Sequence, residues 1–144
     1  MKLKDFLASE PKIVVRTRKG EQVKGYLQAG RFLSGGVLHL RTVEGQDLAV
    51  EVKDLKGIFF VQDFEGDPSY LESKVLESDP HRRGIRARIR FEDNETMEGV
   101  VENSLELLQT QGFFFWPADS RANTQMIYVM KAALLGFSVL GVKG

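Results

Sequence analysis

The sequence contains no cysteine, and its 144 residues include two histidines, four prolines and one tryptophan. Without thiols, disulfides, thiolate metal sites and cysteine nucleophiles are all excluded, and the composition suits a reducing cytoplasm. Net charge is missing too. The 20 lysines and arginines balance 20 aspartates and glutamates, so no overall field draws the chain toward nucleic acid or an anionic membrane. No apolar run approaches the roughly 20 residues that span a bilayer, and the opening "MKLKDFLASEPK" lacks the continuous apolar core of a signal peptide. These absences predict a cytoplasmic protein that does not engage a membrane.

What is present is a self-similar pattern. Hydrophobic residues at 42% and charged residues at 28% predict a folded chain. Within it, "KIVVRTRKGEQVKGYL" (Lys12 to Leu27) is echoed by "RARIRFEDNETMEGVV" (Arg86 to Val101). With Gly25 placed on Gly99, Val15 meets Ile89, Val23 meets Met97, and Gly20 meets Asn94. Glycine and asparagine most readily adopt the left-handed backbone that closes a three-residue bulged hairpin loop. The loops are therefore Arg18-Lys19-Gly20 and Glu92-Asp93-Asn94. That register sets Val15 against Val23, Ile13 against Gly25, Ile89 against Met97 and Ala87 against Gly99. A two-residue loop would slip the pairing and mix the faces.

Further on, "GGVLHLRTV" and "GFFFWPA" read as third strands. "DLAVEVKDLKGIFFV" and "QMIYVMKAALLGFSVL" each supply two more, joined tightly near Lys53-Asp54 and Lys131-Ala132. A short helix is expected at Asp5 to Ser9. A second is expected at Asp67-Pro68-Ser69-Tyr70-Leu71, with an N-cap followed by proline at the first helical position. The expected fold is all-β with short helices: two tandem five-stranded small barrels in a pseudo-two-fold repeat. Residues 1–62 form the first with its helix, 63–83 the linker with the second helix, and 84–144 the second barrel.

The pattern Val15, Gly20, Val23, Gly25, Leu27, repeated as Ile89, Asn94, Met97, Gly99, Val101, resembles the opening hairpin of the Sm-like family of bent, SH3-like five-stranded barrels. The stretch "LKGIFFVQDFEG" (Leu55 to Gly66) resembles a bacterial domain family of unknown function, which implies no activity. Sm-like RNA binders carry an aspartate and an asparagine in the loop leading to the third strand. Here that loop reads "QAGRFLSGGV" or "ENSLELLQTQGF", with Asn103 too early to match. The resemblance thus implies a scaffold, and function has to be read from sites.

Two groups of residues stand out. In "HRRGIRARIR" the register pairs Arg88 with Glu98 on the solvent face, which leaves Arg82, Arg83 and Arg86 near the linker as candidate phosphate or nucleotide contacts. Arg82 and Arg86 meet the R-x-x-x-R spacing of the PilZ family, but the later "NSLELL" lacks the glycine of that family's second motif. The second group is aromatic. Strand side chains alternate faces, so "GFFFWP" and "GIFFV" are apolar on both sides and need a second cover. Phe59, Phe60, Phe114 and Trp116 are therefore candidate interface residues, covered by the other barrel, another copy or a partner protein.

His39 lies inside "VLHLR" and His81 in the linker, with no nucleophile, base and orienting group assembled around either. No metal-ligand spacing occurs. The sequence predicts no catalytic residues, no metal and no cofactor, and hence no enzyme. It predicts a non-catalytic interaction or regulatory module that binds a protein partner or itself through strand edges and an aromatic patch. The alternative is an Sm-like RNA or nucleotide binder, weak in affinity, that uses the arginine group.

Overall fold

A computed structural model describes residues 2–28, 32–76, 82–119 and 121–143; His81 and part of the linker lie outside them. After a short helix α1 (Leu3–Ala8) come β1 (Lys12–Thr17), β2 (Gln22–Leu27), β3 (Val37–Thr42), β4 (Asp47–Glu51) and β5 (Leu55–Val61). Past the linker follow β6 (Gly84–Phe91), β7 (Thr96–Val101), the one-turn helix α2 (Glu106–Gln109), β8 (Gly112–Pro117), β9 (Thr124–Met130) and β10 (Leu134–Lys143). A 3-10 turn separates β4 from β5 (Val52–Asp54) and β9 from β10 (Lys131–Ala133), where tight connections were expected.

The local chemistry explains the hairpins. Gly20 and Asn94 both take positive φ, 91° and 71°. The strands beside them pair in the expected register, Val15 with Val23 and Ile89 with Met97. Gly25 and Gly99 hold matching places where a neighbouring strand crosses closely. A Cβ would come 2.3 Å from the Arg41 carbonyl oxygen at Gly25, and 2.4 Å from that of Trp116 at Gly99.

The global arrangement differs from two separate barrels. All ten strands join in one antiparallel sheet of order β10-β6-β7-β8-β9-β5-β1-β2-β3-β4, and that sheet is not closed. The halves meet where β5 pairs with β9, Phe59 opposite Ile127 and Phe60 opposite Met126. Alternation along these two strands builds a core on each face. Phe59, Val61, Ile127 and Val129 pack with Ala87, Ile89, Phe91 and Phe115. Ile58, Phe60, Met126 and Tyr128 pack with Ile13, Val15, Leu38 and Leu40. Each core thus draws on both halves. Hairpin periodicity specifies local pairing but not which edges meet, and two strands apolar on both faces are buried most fully by pairing with each other.

The expected linker helix does not form. Asp67 accepts the Ser69 amide at 3.0 Å and the Ser69 hydroxyl at 2.6 Å, making a turn. A cap alone does not sustain a helix without an apolar face to bury, and Leu71 is 91% exposed. The linker is instead tied to the second half. The Tyr70 hydroxyl donates to Asp119 at 2.7 Å, and the Leu76 amide donates to Glu98 at 3.1 Å.

Candidate interaction surface

The arginines near the linker fall into different environments. The Arg82 guanidinium lies 3.9 Å from the centre of the Trp116 ring, an arrangement that holds a cation against a π face. Partial burial there lowers its pKa from the usual arginine value, and Glu102 opposes the shift. Arg83 is exposed. Arg86 is half-buried within β6, opposite Val100 on one side and Gly141 on the other. Arg88 pairs with Glu98 at 2.9 Å, as the register requires. Burial pushes the Glu98 carboxyl up, but the Leu76 amide and Arg88 together bring it below the ordinary glutamate value. His39 sits on β3 opposite Ala49.

The aromatic candidates lie at the junction of the halves. Phe59 and Phe60 are buried, on opposite faces of β5. Phe114 and Trp116 are half-buried against the core that Phe60 and Tyr128 share with Ile13 and Leu40. Phe114 stacks on Phe32 with centroids 5.7 Å apart and meets Tyr128 edge-on at 4.9 Å. Beside them a cleft of about 620 Å³ opens, with Glu102 and Glu106 among its lining residues. Among the described residues, no group of three or more histidines and carboxylates is placed to hold a metal.

Ionic contacts of Lys56 and Arg18 join the halves. Lys56 of β5 is only 7% exposed, and its ammonium reaches Asp93 at 2.7 Å and Glu95 at 2.5 Å across the junction. Arg18 and Glu92, the first residues of the two hairpin loops, form a two-point pair at 2.7 and 3.1 Å. The hydrogen bond and charge of Arg18 hold the Glu92 carboxyl below its ordinary value, and the Lys56 hydrogen bond does the same for Asp93.

The surface that sequence reasoning did not single out is β10. It ends the sheet, paired with β6 on one side only. Phe137, Val139 and Val142 sit opposite Ile89, Ala87 and Ile85, so they carry the core face of β6 outward. Among the described residues, no strand pairs with the outer side of β10. Val139 is 60% exposed and Val142 62%, with Leu135 and Leu140 also exposed. Next to this edge, Leu107 and Leu108 of the α2 segment and Phe113, Leu134, Leu135 and Phe137 line an apolar groove of about 370 Å³. The run "LLGFSVL" is as apolar as "LKGIFFV", so composition signals a buried strand in both cases, and only the strand order shows one to be an edge.

Residues 9–141 match the model of a family described as "Family of unknown function (DUF6982)". The chain belongs to this family. No curated protein and no solved structure gives a significant match. Among the described residues, no helix is long and apolar enough to cross a membrane.

Proposed function

We propose that this member of the family is a non-catalytic interaction module that receives an extended segment of a protein partner along β10. One observation carries the reading: a ten-residue edge strand exposes a continuous apolar row beside an apolar groove. Unpaired N–H and C=O groups on such an edge are a template for another strand, and the side chains beside it supply selectivity. Long, apolar edges are normally blunted by charge or covered, and β10 is neither until Lys143. We infer in addition that each half is one small Sm-like unit, supported by the matching hairpin registers. The absence of thiols favours a cytoplasmic setting.

The nucleic-acid alternative has less support. Arg82 is engaged with Trp116, Arg88 with Glu98, and the formal charge is zero.

The test is capture from an extract of the source cells by the immobilised chain and by Val139→Glu, which places a charge on the edge. A partner retained by the wild type and lost by the variant is the expected result. Identical sets of retained proteins would refute the edge as the binding surface.

A further inference from the structure

The order of strands contains a repeating phrase. Within the first half it runs β5-β1-β2-β3-β4, and within the second β10-β6-β7-β8-β9. Position for position, β10 corresponds to β5 and β9 to β4. The 3-10 turns Val52–Asp54 and Lys131–Ala133 align, as do Leu55 with Leu134 and Gly57 with Gly136. The junction of the halves is therefore the fourth strand of one unit laid against the fifth strand of the other. This contact is head-to-tail, and it leaves the complementary pair of edges unused: β4 at one end of the sheet and β10 at the other.

We propose that the occupant of the β10 edge is the β4 edge of a second copy of this chain, joined as β9 joins β5. The inference rests on the reading of β10 as an interaction edge and names its partner. Transferring the β5–β9 register sets Gly136 opposite Val50, Phe137 opposite Ala49, Ser138 opposite Leu48 and Val139 opposite Asp47 of the copy. Leu48 and Ala49 are exposed, so both sides of this ladder are open. In this register Lys143 falls beside Glu44 of the copy. A symmetric pairing of β10 with β10 would instead bring Lys131 toward Lys143. Lys143 and Glu44 sit at one end of the ladder, so charge selects the pairing more than it strengthens it.

Such a contact is heterologous: each copy uses one edge and keeps another, so association continues into a ring or a filament unless an end is blocked. β4 has only five residues, and an interface of that size belongs with weak, concentration-dependent contacts.

Sedimentation velocity over a rising series of concentrations tests this, using the full chain and two variants on exposed positions. Val139→Glu blocks β10 and leaves β4 intact; Ala49→Glu does the reverse. Circular dichroism and melting curves establish that both fold. The expected result is growth of mass with concentration for the wild type, a monomer for each variant, and a 1:1 dimer of doubled mass when the two are mixed, since one good edge of each kind remains. A mixture that stays monomeric, or a wild type that is monomeric at every concentration, overturns the proposal. Self-association of Ala49→Glu with loss in Val139→Glu also overturns it, in favour of β10 pairing with itself. The two readings fail separately. A cellular partner lost only with Val139→Glu, without self-association, removes the second copy and keeps the edge. No effect of Val139→Glu on either assay removes both.

Discussion

β5 and β10 begin alike. Each follows a 3-10 turn, opens on leucine, bulges at the next residue and continues through glycine into an apolar run. Yet every residue of β5 is buried, whereas β10 is half-buried or exposed along its whole length. The difference lies in the neighbour. β5 has β1 on one side and β9 on the other, while β10 has only β6. A strand's own residues set its pleat and its apolar rows, and the sheet around it decides whether those rows become core or surface.

The largest effect that can break this comparison comes from matched truncations. Phe60 is fully buried, and Phe60→Ala is expected to cost about 3–5 kcal/mol through lost transfer energy and a cavity. Phe137 is 36% exposed and touches Phe113 edge-on at 5.7 Å, so Phe137→Ala should cost about 1–2 kcal/mol. Urea unfolding of both variants measures the ratio. Equal losses would mean that β10 is covered in solution to the same extent as β5, which dilution would then have to relieve.

An intermediate effect comes from the bulged residues, where the strands diverge in chemistry. Lys56 sits buried between Asp93, Glu95 and the Phe91 ring, while its counterpart Leu135 is 57% exposed. Removing one partner of a buried ionic cluster leaves the others unsatisfied. Asp93 is half-exposed and can rehydrate, so Lys56→Ala should cost about 1–3 kcal/mol rather than the full penalty of a sealed pair. Leu135→Lys should stay within about 0.5 kcal/mol in the monomer. If Leu135→Lys proves the more damaging, the apolar row on β10 is a structural element of the single chain.

Local structure was legible in the sequence because short-range rules govern it. Asn94 in place of Gly20 marked the left-handed closing position, and that position fixed the register through Arg88 and Glu98. The doubly apolar strands around Phe60 and Phe114 signalled a shared core. What escaped was topology. No residue says that β5 will meet β9 rather than close its own half, because several edges are chemically able to pair and the choice depends on the whole sheet. Asp67 and Pro68 signalled a helix start that does not form: Tyr70 turns its hydroxyl to Asp119, and Leu71 and Val75 stay exposed, so no apolar face is buried to hold a helix. The β10 edge escaped for the same reason as the junction: exposure of Val139 follows from the order of strands in the sheet.

The smallest effect concerns the pair that links the two hairpin loops, Arg18 and Glu92, where matching positions carry opposite charges. Both side chains are over one-third exposed, so at neutral pH Glu92→Gln should barely move the melting temperature. Acid separates them. Arg18 holds the Glu92 carboxyl below its ordinary value of 4.5, so the folded state binds the proton less readily than the unfolded chain. The stability this pair supplies is present above that ordinary value and is lost as pH falls through the depressed folded value. Asp93, depressed by Lys56, and Glu98, held down by the Leu76 amide and Arg88 against its burial, follow the same sign. The wild type should therefore lose melting temperature progressively below about pH 4.5. Glu92→Gln should lose less over the same range, with the gap narrowing in high salt as the Arg18 interaction is screened. Parallel curves for the two proteins would show that the loop-to-loop pair does not form in solution, and would leave Lys56 as the ionic link between the halves.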